Sequence, residues 1–199
     1  MKYVKYNTTL NIVHESFHYI LLLDGSGSMS GQRWKDLMNA VQEFLKRRSE
    51  LNTYDRISII VFSSTANIIY SNEDIQNINV NNISYPGGDT SFHDAFECVD
   101  RCIKYSKRQA VVNSVHNKFA IVFMSDGEGI YPDYQLKHLL KEHDSVIKRF
   151  WTLALGINQS SSSMNVLEKI NAKMNGSFID IATSVDLIKA YAEVANFSQ

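Results

Sequence analysis

The chain reads as an α/β fold, a doubly wound three-layer sandwich with a mostly parallel sheet between two layers of helices. Three observations carry this. Short apolar runs ending in small or acidic residues recur along the 199 residues, as strands buried on both faces do. Helical patterns alternate with them, so most neighbouring strands are joined by crossovers and run parallel. One pair of runs is too close together for a crossover, which adds one antiparallel strand at an edge.

The elements follow in order. FHYILLLD (Phe17 to Asp24) is the first doubly buried strand. After a Gly/Ser segment, Trp34, Leu37, Met38, Val41, Phe44 and Leu45 recur at helical spacing. RISIIVFS (Arg56 to Ser63) is a strand, and ANIIY (Ala66 to Tyr70) is its hairpin partner. NEDIQNINVNNISYPGG is loop with one short helical turn, and SFHDAFECVDRCIKYSKR is a helix. KFAIVFMSD (Lys118 to Asp126) is the second doubly buried strand, and a helix over residues 133–149 leads to the strand FWTLALG. The run Ser160 to Ser163 is a helix-entry loop, followed by a helix over residues 164–174. The strand SFIDIA and a last helix over residues 185–195 complete six strands in all.

Composition bounds the function. A hydrophobic share of 44% with 21% charged residues is globular, and the length suits one domain. Residues 1–16 read as an N-terminal extension and 17–199 as the domain. With 20 Lys+Arg against 21 Asp+Glu, a nucleic-acid binder acting through a broad basic field is excluded. The first residues are too polar for a secretory signal, and no apolar stretch reaches the ~20 residues that span a bilayer. A cytoplasmic, intracellular chain is expected, although a domain excised from a larger protein would read the same way.

Two cysteines make no disulfide framework. Cys98 and Cys102 sit one helical turn apart and are expected as reduced thiols facing the core. The six histidines form no zinc pattern, and His138 and His143 share a helix face poorly. The sequons at Asn82 and Asn175 carry no weight in a chain so rich in Asn and Ser.

In an open α/β sheet, ligands bind outside the carboxyl ends of the strands. Three segments fall there: DGSGSMSG, PGGDTSFHDAF and SDGEG. Each supplies small oxygen donors on a glycine-permitted turn: Asp24, Ser26 and Ser28; Asp89 and Thr90; Asp126 and Glu128. Hard oxygen ligands suit magnesium, manganese or calcium and disfavour zinc and copper. A dinucleotide site built on Gly25, Gly27 and Gly31 fails, because Asp24 would face the pyrophosphate and the second strand lacks the acidic end a ribose wants. A haloacid-dehalogenase arrangement, with Asp24 as nucleophile beside Ser63 and Asp126, puts Ser26 where the general acid should stand. His93 is the only acid–base candidate nearby, and it reads more simply as a helix-surface histidine.

D-G-S-G-S at the first strand end, the threonine of G-G-D-T and the aspartate of S-D-G together resemble the von Willebrand factor A (vWA) domain and its metal-ion-dependent adhesion site. The resemblance runs from about Phe17 to Phe197, in the right order and spacing. It implies a Rossmann-like six-stranded domain. Ser26, Ser28 and Thr90 would ligate Mg2+ (or Mn2+ or Ca2+) through their hydroxyls, and Asp24 and Asp126 would hold it largely through waters. Asp89 and Glu128 add negative charge beside the site. Neutral hydroxyl ligands would leave the ion much of its charge, so an Asp or Glu of a protein partner would complete its shell. The resemblance thus implies a metal-dependent protein–protein interaction module and no enzyme. Its setting would be intracellular, as in the vWA domains of cytosolic scaffolds, ubiquitin-pathway proteins and atypical kinases. An extracellular adhesion domain and a magnesium-dependent phosphoryl-transfer enzyme are the alternatives.

Overall fold

Alternation along β1 (His18–Asp24) divides its side chains between two cores. Tyr19, Leu21 and Leu23 enter one cluster, and Ile20 and Leu22 enter the other. This explains why the strand reads as an unbroken apolar run. The computed structural model describes residues 16–51, 54–113, 118–156 and 162–197, apart from the side chains of 110–113. Most of the expected N-terminal extension and the Ser160–Ser161 half of the expected helix-entry loop lie outside the described residues.

The further elements are α1 (Gln32–Glu50), β2 (Arg56–Phe62), β3 (Ala66–Asp74), α2 (Phe92–Asn113), β4 (Phe119–Ser125) and α3 (Asp133–His143). They are followed by β5 (Ile147–Leu155), α4 (Ser162–Lys173), β6 (Ser177–Ile181) and α5 (Ser184–Ala195). The sheet order is β3-β2-β1-β4-β5-β6, parallel throughout except for the β2–β3 edge hairpin. Helices α1 and α5 cover one face, and α2, α3 and α4 cover the other. Among the described residues no helix is long and apolar enough to cross a membrane.

Three expectations need correction. The helix expected to reach Arg149 ends at His143, and residues 147–149 open β5 because Ile147 and Arg149 pair with Phe119 and Ala120. The hairpin strand runs past Tyr70 to Asp74, with register shifts around Ile59 that keep it paired. The Asn-rich loop holds two 3-10 turns (Ile75–Asn77 and Val80–Asn82), each started by an Asx cap from Asp74 or Asn79.

Two polar devices lie inside the sandwich. The Arg48 Nε–Asp55 Oδ2 pair, at 2.6 Å, is fully buried; Arg48 also donates to the Ala195 carbonyl, and Asp55 accepts the Phe17 amide. One ion pair thereby ties α1, the end of α5 and the entry to β1. His18 bridges the Ser58 and Ser106 hydroxyls, at 2.8 Å each. Burial, assisted by the Arg56 charge, lowers its pKa to about 3.

Candidate functional site

The carboxyl ends of β1 and β4 are adjacent in the sheet, so the segments after them meet. The loop before α2 joins them because its backbone is laced to the first. Gly27 N donates to Gly88 O at 2.7 Å, Gly87 N donates to Gly25 O at 3.0 Å, and the Tyr85 hydroxyl donates to Ser26 O at 2.8 Å. Glycine is required for this approach. A Cβ on Gly25 would lie 2.6 Å from Pro86 Cδ, and Gly88 has φ 99° with Ser64 Oγ 2.6 Å from where its Cβ would stand.

All three expected segments therefore converge. Ser26, Ser28 and Thr90 line one cleft of about 560 Å3, together with Asp89, Glu128 and Ile130. The Ser26 and Ser28 hydroxyls are 3.1 Å apart. Asp24 stands behind them, fully buried: Oδ1 accepts the Ser26 amide at 2.9 Å, and Oδ2 accepts the Ser125 hydroxyl at 2.6 Å. Burial pushes the Asp24 carboxyl up to about 6, opposed by these hydrogen bonds and reinforced by the charge of Asp126. Asp126 is 7% exposed, and its Oδ1 has no hydrogen-bond partner among the described residues. Its Oδ2 faces Arg33 Nη1 at 3.5 Å. His93 does not line the cleft.

Three contributors escaped the sequence reading. Ser125 orients Asp24 and also accepts the Gly127 amide at 2.9 Å; its place in S-D-G was the available signal. Arg33 and Tyr85 reach the site from outside the motifs, and nothing local marks them. His138 and His143 also behave unlike their spacing suggests, since both approach Asp100 Oδ1 on α2, at 3.4 and 2.9 Å. Lys107 Nζ donates to His143 Nδ1 at 2.9 Å, so His143 is neutral and donates through Nε2. That cluster is a tie between α2 and α3. Cys98 and Cys102 are free and buried, and burial raises the pKa of both thiols.

The family model for the von Willebrand factor type A domain matches residues 20–193. The chain belongs to this family. Similar folds include the ArnB paralog VWA2 of Sulfolobus acidocaldarius, with TM-score 0.59 and 21% identity over 91% of this chain and 46% of that one. A von Willebrand factor type A structure from Catenulispora acidiphila has TM-score 0.66 and 14% identity, over 90% of this chain and 42% of that one. An aerotolerance-related membrane protein of Bacteroides fragilis has TM-score 0.59 and 18% identity, over 90% of this chain and 98% of that one. The vWA chain thus spans less than half of the first two. No curated protein matches it by sequence. Domains of the family often mediate protein–protein interaction.

Proposed function

We propose that this vWA domain is a metal-dependent protein-interaction module whose ion, Mg2+ or a close substitute, is held by Ser26, Ser28 and Thr90 with Asp24 and Asp126 behind them. The observation that carries the reading is the donor set around one opening. The Ser26 and Ser28 hydroxyls of the cleft stand 3.1 Å apart, and Asp126, which precedes the lining residue Gly127, keeps a buried carboxylate oxygen with no hydrogen-bond partner among the described residues. Adjacent corners of an octahedron with bonds of ~2.1 Å are ~3 Å apart, so the serine pair suits two cis ligands of magnesium. No group of three or more His, Cys, Asp or Glu among the described residues is placed to hold an ion.

When bound, the ion supplies Lewis acidity and a position for an external oxygen ligand. The chain's own residues do the rest. Ser125 and the Ser26 amide hold the Asp24 carboxylate behind the hydroxyls, so it acts through orientation and charge. The laced backbone of residues 25–27 and 85–88 fixes the first and second loops against each other. The cleft opens to solvent through Thr90, Asp89 and Glu128, where a partner's Asp or Glu would enter. A nucleophilic role for Asp24 is disfavoured, because both its oxygens are engaged and the residue is buried.

Titration calorimetry with MgCl2 and MnCl2 tests the metal. Thr90→Ala should weaken binding at least tenfold and leave the melting temperature within a few degrees, since a loop hydroxyl contributes little to packing. Equal heats for both proteins would sink the reading. Capture of a partner should be lost in chelator and in Thr90→Ala, and restored by magnesium only in the wild type.

A further inference from the structure

We infer that Arg33 is a built-in competitor for the cation: its guanidinium occupies the charge of Asp126 and keeps divalent-metal affinity low until it is displaced. This rests on the metal reading above. Arg33 is the second residue of α1, and its side chain crosses the carboxyl edge of three neighbouring strands. Nη1 lies 3.5 Å from Asp126 Oδ2 after β4 and 3.3 Å from the Ser28 carbonyl after β1. Nη2 lies against Gly156 after β5, 3.5 Å from where a Cβ would stand. Among the described residues no other cationic side chain is paired with Asp126.

The electrostatics make this a competition. Asp24 and Asp126 are buried and near enough for the Asp126 charge to act on Asp24. A divalent ion and a guanidinium therefore answer the same excess of negative charge, and each repels the other. Arg33 is well suited to yield, since its side chain is 49% exposed and its contacts with Asp126 and Ser28 are long. A screened pair of that kind is weak. Its displacement would also leave a free guanidinium at the rim of the cleft that receives the partner.

The test is a charge series at position 33, read by calorimetry with MnCl2 on the intact chain. Arg33→Gln should tighten manganese binding roughly three- to tenfold, the scale for removing one screened positive charge beside a divalent ion. Arg33→Glu should tighten it further, and Arg33→Lys should stay near wild type. A half-exposed side chain can be replaced without loss of the core, and each variant's melting curve checks this. Affinity that is equal across the series, or that falls with Arg33→Gln, overturns the competition while leaving the metal site standing. Absence of heat in every protein of the series overturns both.

Discussion

Replacing His18 by Gln should remove much of the acid sensitivity of this fold. The imidazole is enclosed between Ser58 and Ser106, with its folded pKa lowered to about 3 against an ordinary 6.5. A depressed histidine favours the folded state while neutral. Its contribution is intact above pH 6.5 and is lost as pH falls toward 3, because the unfolded chain takes up the proton first. At about pH 5 the two values give a loss of about 2 kcal/mol relative to neutral pH, and the full separation amounts to about 5 kcal/mol. For a domain of this length, 2 kcal/mol corresponds to roughly 4–8 °C in Tm. Other groups act in the same range: His143, also depressed by burial, adds to the loss, and Asp24, raised to about 6, opposes it between that value and 3.8. The informative quantity is therefore the difference between wild type and His18→Gln, since Gln retains a donor and an acceptor for the two serines. Urea unfolding at about pH 7.5 and 5 should show the wild type losing about 2 kcal/mol more than the variant. Parallel pH dependences would refute the assignment of the slope to His18.

Two further outcomes are expected. Arg48→Met should cost about 3–5 kcal/mol, a fall of roughly 10 °C in Tm, because Asp55 stays buried without its guanidinium; adding Asp55→Asn should recover part of the loss. Ser125→Ala should cost about 1.5–3 kcal/mol in urea unfolding and weaken manganese binding, although Ser125 is not among the proposed ligands, because its hydroxyl holds the Asp24 carboxylate.

The strand ends were legible because a parallel strand buried on both faces must be apolar until it leaves the sheet. Asp24 and Asp126 mark where two such runs stop, and the sheet order makes those stops neighbours. The start of β5 was not legible. Leu136, Leu139, Leu140, His143 and Ile147 continue a helical spacing, and only pairing with Phe119 turns Ile147 into strand. Ser125 was overshadowed by the aspartate beside it. Arg33 fits the pattern of an exposed helix residue, and its reach toward Asp126 depends on how α1 lies across the sheet, which no local pattern encodes. The convergence of His138 and His143 on Asp100 likewise depends on the packing of α3 against α2.

The two ends of β1 treat buried carboxylates differently, and the contrast bears on function. At the entry, Asp55 is met by the Arg48 guanidinium at 2.6 Å, with both side chains fully buried. At the exit, Asp24 is equally buried but receives only neutral donors, an amide and a hydroxyl. Its neighbour Asp126 has one oxygen without a partner among the described residues and a half-exposed arginine 3.5 Å from the other. Burying carboxylates without close cations costs stability, as the elevated Asp24 pKa records. The fold supplies a close, fully buried cation for Asp55, and for the pair at the carboxyl edge only the longer contact of a half-exposed arginine with Asp126. An apolar pair of similar size at positions 24 and 126 would pack without that cost. Retaining the acids is therefore consistent with a charge that arrives from outside the chain, and Asp24→Asn separates the two effects. The variant should unfold at higher temperature in chelator, since a buried charge has been neutralised, and should gain less than the wild type from added magnesium. A lower melting temperature in chelator would mean that the Asp24 charge serves the fold, and the argument for an external cation would lose this support.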